Sequence, residues 1–304
     1  MKTEKNIFIA FILNLLFSIF ELFGGIFTGS VAIASDAVHD FGDAISIGTS
    51  FFLEKLSDKK PNKKYTYGYA RFSVLGGLIT TFILLISSGV VIYNAILRII
   101  SPKIINYEGM IVLAIIGLTV NLIATYFTHG GKSINQRAVN LHMLEDVLGW
   151  LVVLIGAILM RFTNLYIIDP ILSILVALFV IINCIKNLIQ ILDIFLIKTP
   201  KNIDIKNITH HVKEIDGIID VHHIHLWTLD GQINCATLHV IAKEINSKIK
   251  NNIKSELKEH GISHVTIEFE SEEENCTENT CNIKRDDDNL HSHCHHHHSH
   301  QHHH

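Results

Sequence analysis

Hydrophobic and polar positions divide the chain at about residue 198. Before that point the apolar residues come in six long, nearly uncharged runs, at about 7–28, 32–53, 72–97, 108–128, 140–161 and 170–197. A membrane-spanning helix needs about 20 such residues, so each run predicts one span. Beyond it the texture turns mixed and polar, beginning KTPKNIDIKNITHHVKEIDG. Residues 200–271 read as helix, strand, strand, helix, strand. ITHHVKEIDG closes the first helix, and VHHIHLWTL and INCATLHVIA are strands separated by the hairpin signal Asp230-Gly231. NSKIKNNIKSELKEHG is an amphipathic helix that stops at Gly261. In HVTIEFE, Val265, Ile267 and Phe269 face one way, while His264, Thr266, Glu268 and Glu270 face the other. The expected organisation is a polytopic α-helical membrane domain of six transmembrane helices (1–198), a C-terminal α+β domain (199–271) and a tail (272–304).

Composition supports this division. Of the 304 residues 48% are hydrophobic and only 18% charged, against about 25% charged in a soluble domain. The mean hydropathy is +0.33. MKTEK could open a secretory signal, but the apolar run behind it is too long for a signal core and Glu21 interrupts it. Lys and Arg concentrate at the N-terminus (Lys2, Lys5), after the second span (Lys55, Lys59, Lys60, Lys63, Lys64, Arg71) and after the fourth (Lys132, Arg137). The positive-inside rule therefore predicts cytoplasmic N- and C-termini in a cell membrane, with lipid around the spans. The five cysteines fall in a span or on that reducing side, so structural disulfides are not expected. No nucleic-acid partner is expected.

The candidate chemistry lies where lipid should be. The second span contains SDAVHDFGDAI, and a carboxylate at mid-bilayer costs roughly 2.5–3.5 kcal/mol even on lenient insertion scales. His39 and Asp43 are four apart and share one helical face, with Asp36 a turn earlier and Asp40 beside them. The fifth span repeats the spacing with His142 and Asp146. One such pair is an ordinary interhelical hydrogen-bonding motif. Two pairs on separate spans form a two-imidazole, two-carboxylate set that suits tetrahedral Zn²⁺, whereas Mn²⁺ or Mg²⁺ favours more oxygen ligands. A site contributed half by each helix can open to either side when the helices tilt. Metal binding also needs neutral imidazole and ionised carboxylate, so protons compete for the same atoms, and histidine exchanges its proton near neutral pH. The arrangement fits metal/proton antiport.

These residues resemble the cation diffusion facilitator family of zinc and divalent metal transporters. The resemblance rests on Asn14, Glu21, Gly25, Ser30, the run Ala34-Ser35-Asp36-Ala37 with His39 and Asp43, the loop Tyr65-Thr66-Tyr67-Gly68-Tyr69 with Arg71, Asn121, His142 with Asp146, Asp169-Pro170 with Ser173, and Lys198-Thr199-Pro200. It extends to about residue 271. It implies a homodimer with six spans per protomer and a ferredoxin-like cytoplasmic domain. It further implies proton-coupled export of Zn²⁺, with Cd²⁺, Co²⁺ or Fe²⁺ as other substrates, through a His39, Asp43, His142, Asp146 transport site. In the cytoplasmic domain it implies candidates for a second, regulatory zinc site at His222, His239, Glu268 and Glu270, the alternative being an ordinary polar sheet face. The chain departs from the family pattern at Ser73, where many members have Glu, and at Tyr65 and Tyr69, where some have metal-binding histidines. No loop metal site is expected.

Plainer readings apply elsewhere. Asp169-Pro170 reads as a helix start, and Gly25 with Gly29 as a packing motif. Asn14 and Glu21 suit interhelical hydrogen bonding, with lining of the ion path as the alternative, a role also open to Asp36 and Asp40. Cys276 and Cys281 are a looser metal pair. The tail ends CNIKRDDDNLHSHCHHHHSHQHHH, predicted to be disordered, its acidic and His-rich composition suited to holding Zn²⁺ near the entrance. A membrane metalloenzyme would need an open metal position and a base, as in His-Glu-x-x-His, which is absent. A channel would want weak, multiple sites. A membrane metal sensor without transport is the remaining alternative.

Overall fold

The computed structural model describes residues 2–28, 31–101, 107–163 and 168–271. Six long helices occupy the six apolar runs: α1 (Lys2–Thr28), α2 (Val31–Ser57), α3 (Arg71–Ile100), α4 (Tyr107–Thr128), α5 (Ile134–Thr163) and α6 (Ile168–Phe195). Among the described residues α1, α3, α5 and α6 carry stretches apolar and long enough to cross a membrane. The apolar stretch of α4 is shorter, Ala114–Thr128, and α2 is interrupted by its aspartates.

The bundle is inverted relative to a soluble protein. Phe8, Leu16, Phe20, Phe52, Ile86, Tyr93, Leu122 and Tyr126 point outward, while Asn14, Glu21, Asp43, Glu54, Thr80, Asn121, His142 and Asn187 are buried. That polarity is what a hydrocarbon solvent selects. Helix α1 packs along α2, α4 along α5, and α3 along α6. Helix α5 belongs to three apolar clusters: Ile7, Ala10, Ile47 and Ala124 around Val139 and Met143, Val74, Ile191 and Ile194 around Ile134, and Leu84, Val180 and Cys184 beside Leu141. On α3, Gly76 and Gly77 let α5 approach closely; a Cβ at Gly76 would lie 2.8 Å from Asn135 Oδ1.

Helix α5 begins six residues before the apolar run expected at 140. Ser133 starts it, its hydroxyl accepting from the Gln136 amide at 3.4 Å. Asn135 and Gln136 look like loop residues in a hydropathy profile, but both are buried against other helices.

After α6 come α7 (Ile205–Lys213), β1 (Ile218–Thr228), β2 (Asn234–Ala242), α8 (Ser247–Glu259) and β3 (Ile262–Glu270), the order the sequence pattern predicts. The sheet order is β1-β2-β3, antiparallel between β1 and β2 and parallel between β2 and β3, with α8 as the crossover. Both helices pack on one face of the sheet through Ile208, Val212, Ile249, Ile253 and Leu257 against Val221, Leu238 and Val240. The hairpin is longer than the two-residue turn implied by Asp230-Gly231. Leu229 N–H donates to Ile233 O, enclosing three residues. Asp230 Oδ1 accepts from the Gln232 and Ile233 amides, and Gly231 takes φ 88°, a left-handed conformation that glycine adopts without steric cost.

Candidate metal centre

Asp43 on α2 and His142 and Asp146 on consecutive turns of α5 converge inside the bundle. Their ligand atoms lie within 4.8 Å of one another, and His142 Nε2 stands 3.7 Å from Asp43 Oδ1. Asp43 and His142 are 6% and 2% exposed. Ligand atoms about 2.0–2.2 Å from a tetrahedral zinc stand roughly 3.3–3.6 Å apart, so the His142–Asp43 edge is already near that spacing and the rest of the set, within 4.8 Å, draws in to reach it. His39 lies one turn before Asp43 on α2, but its side chain, like that of Asp36, lies outside the described residues. Next to the triad, Ser88 on α3 donates to Glu145 Oε1 at 2.9 Å.

A buried polar stripe runs along α2 from this triad through Asp43, Ser46, Ser50 and Glu54. Eleven residues of helix cover about 16 Å. At its far end Glu54 Oε2 accepts from Ser73 Oγ at 2.6 Å, Ser133 Oγ at 3.1 Å and Asn135 Nδ2 at 3.0 Å. Glu54 and Ser73 also line a cavity of about 200 Å³ with Glu4, Ser57, Asp58, Asp230 and Gln232. In the sequence Ser73 stands out only as a departure from a family glutamate; the buried carboxylate here comes from α2 instead. On α1, Asn14, Ser18 and Glu21 form a second buried polar stripe.

The cytoplasmic set gathers on the sheet face away from the helices. His222 and His239 are cross-strand neighbours, and His239 and Glu268 are aligned across the next pair. The buried Glu270 carboxylate reaches both imidazoles: Oε1 is 2.5 Å from His239 Nδ1 and Oε2 is 3.3 Å from His222 Nε2. These three form a ligand-spaced cluster. Glu268 is exposed and meets the opposite edge of His239, with Oε2 3.4 Å from Nε2. Two further neighbours are not evident from the sequence pattern. Asp220 Oδ2 stands 3.6 Å from His222 Nδ1. Burial raises the Asp220 carboxyl, but its hydrogen bonds to Lys213 and the Val221 amide, with the nearby charges of Lys213 and His222, together outweigh that and hold it below the ordinary carboxylate value. His223, at φ 49° in the bulge between His222 and His225, stacks on His239 with ring centroids 4.7 Å apart. A bulge re-aims one side chain, and three histidines in four positions, HHIH, are its only sign in the sequence. Cys276, Cys281 and the His-rich tail lie outside the described residues, as do Gly29, Ser30 and the side chain of Asp169.

Between the two layers, Tyr67 of the α2–α3 loop packs edge-on against Trp227 and His264, with centroids 6.4 and 5.6 Å apart. Tyr65 and Tyr69 stack on each other at 4.5 Å, and Tyr69 accepts from Asn62 Nδ2.

Residues 7–196 match the cation efflux transmembrane domain, and residues 200–272 match the cytoplasmic domain of cation efflux proteins. The chain is a cation diffusion facilitator. As a member of this family it is an integral membrane transporter, not an enzyme. It is 34% identical to the "Cadmium, cobalt and zinc/H(+)-K(+) antiporter" of Bacillus subtilis, with 90% of each chain covered. It is 31% identical to "Zinc transporter ZitB" of Pectobacterium atrosepticum, covering 94% of this chain and 91% of the relative. To "Metal cation efflux system protein CzcD" of Cupriavidus metallidurans it is 30% identical, with coverage of 88% and 86%.

Proposed function

We propose that this cation diffusion facilitator exports Zn²⁺ from the cytoplasm in exchange for protons, through a transport site of His39, Asp43, His142 and Asp146. The observation that carries this reading is the convergence of Asp43, His142 and Asp146 from two helices inside an otherwise apolar bundle. Relatives named for zinc, cadmium and cobalt support a borderline divalent substrate. One imidazole and two carboxylates, with His39 on the adjoining turn, suit that class better than Mg²⁺ or Mn²⁺.

The acidic cavity beside Glu54 serves as the cytoplasmic mouth, and the buried face of α2 leads from it to the site. Each ligand atom that releases metal accepts a proton in its place, which couples the two fluxes without a separate proton path. Both termini lie in the cytoplasm, and the protein works as a homodimer joined through its cytoplasmic domain. The His222, His239, Glu270 cluster, with Glu268 at its edge, binds regulatory Zn²⁺ from the same side.

The test is Zn²⁺ uptake into proteoliposomes under an imposed pH gradient. Wild type takes up zinc when the gradient is present, and Asp43→Ala and Asp146→Ala each abolish uptake while eluting as folded protein. Uptake that survives both substitutions, or a folded wild type that binds zinc without moving it, would overturn the proposal; the second outcome is the sensor reading.

A further inference from the structure

A second cluster of ligand-type side chains lies on the opposite side of the cytoplasmic domain from His222 and His239, across the sheet and its apolar core. His211 stands in the last turn of α7, and Glu256 and His260 lie one turn apart at the end of α8. His211 Nδ1 is 2.8 Å from His260 Nε2 and 3.2 Å from Glu256 Oε1. His260 Nε2 is 3.3 Å from the same oxygen. Three lone-pair atoms from two helices thus point at one spot. Their side chains are only 39%, 28% and 21% exposed for His211, Glu256 and His260.

Protons satisfy this triangle poorly. One proton on the short edge leaves the accepting ring nitrogen facing the carboxylate oxygen lone pair to lone pair. A proton on each facing nitrogen turns both rings, still neutral, toward the carboxylate, but sets two N–H groups against each other across 2.8 Å. One cation at the centre satisfies all three atoms at once. In a tetrahedral site with bonds of about 2.0–2.2 Å, ligand atoms are roughly 3.3–3.6 Å apart. The two edges to Glu256 are already near that spacing, and the third opens by roughly 0.5–0.8 Å to reach it. His210 and Glu214, 3.5 Å apart on the same turns of α7, form a further ligand trio with His211.

The geometry points to a divalent-metal site formed by His211, Glu256 and His260. Its two imidazoles and one carboxylate select Zn²⁺, Co²⁺ or Ni²⁺ over Mg²⁺ or Ca²⁺. A bound ion ties the C-terminal ends of α7 and α8 together and shares no ligand with the intramembrane triad or with the sheet-face cluster.

Hydrogen exchange of the full-length protein in detergent, with and without Zn²⁺, tests this directly. At free zinc about 100 times the dissociation constant, linkage slows exchange through local opening roughly 100-fold. That slowing is expected over residues 205–213 and 247–259 in wild type. It is expected to vanish in His211→Gln, His260→Gln and Glu256→Gln, with about one metal fewer per protomer by elemental analysis. Zinc-dependent slowing in β2 and β3, and exchange of the zinc-free sheet, stay as in wild type, which shows that the variants are folded. Absence of zinc-dependent slowing in the two helices of wild type overturns the site, as does slowing that persists in the folded variants. Gradient-driven uptake reports on the intramembrane triad and is measured separately, so loss of transport and loss of this site are told apart.

Discussion

Glu54 is a carboxylate on the last turns of α2 that accepts hydrogen bonds from Ser73, Ser133 and Asn135. Removing it takes three hydrogen bonds to a charged acceptor, each contributing about 1.5–3 kcal/mol, and among the described residues leaves the Ser73 and Ser133 hydroxyls only each other and Asn135 only Ser50 O as acceptors. Glu54→Ala is therefore expected to lower the melting temperature in detergent by several degrees. Glu54→Gln retains an acceptor oxygen and falls less. Equal melting of wild type and Glu54→Ala would show that water replaces the carboxylate. At this scale the sequence was legible where residues repeat a spacing: His142 with Asp146, and Asp43 on the matching span. It was silent on Glu54, because LEKLSDKK reads as the start of a charged loop, and nothing in it announces a partner 79 or 81 positions away. Glu270 was placed on the correct strand face, but its burial depends on two imidazoles from neighbouring strands.

Element boundaries were readable where a terminus has its own chemistry. Asn246 caps α8 by accepting from the Ile249 amide at 2.9 Å, and the amphipathic pattern behind it puts Ile249, Ile253 and Leu257 in the core. Replacing that cap costs about 1 kcal/mol, so Asn246→Ala is expected to speed amide exchange in the first turn of α8 roughly fivefold, leaving β1 unchanged. Exchange no faster than in wild type would mean that core packing alone fixes the helix start. The beginning of α5 was not readable, since Asn135 and Gln136 are polar yet point into the bundle. The bulge at His223 was hidden for a different reason. An alternating pattern fixes which residues share a face but does not record an extra residue inserted between two paired positions.

At the scale of the whole molecule, the six apolar blocks, the change of texture near residue 198 and the α+β order were all present in the hydropathy pattern. How the layers meet was not, because it depends on single contacts such as Tyr67 against Trp227 and His264. Tyr67→Ala uncovers Trp227, the sole tryptophan left in a Trp150→Phe background. Its fluorescence emission is expected to shift to the red, and an unshifted spectrum would show that the contact does not hold the loop to the sheet.

The hairpin tip meets the membrane domain at the foot of α5. A Cβ at Gly231 would stand 3.4 Å from Ile134 Cδ1 and 3.6 Å from Ile194 Cδ1. Helix α5 starts at Ile134 and carries His142 eight residues later, about 12 Å along its axis. The helix is thus a lever with its fulcrum under the cytoplasmic sheet. A tilt of about 10° at that fulcrum swings His142 through roughly 2 Å, the length of a metal–nitrogen bond. A shift in the sheet too small to disturb its own packing is large enough, at the far end of that arm, to open or close the 3.7 Å gap between His142 and Asp43.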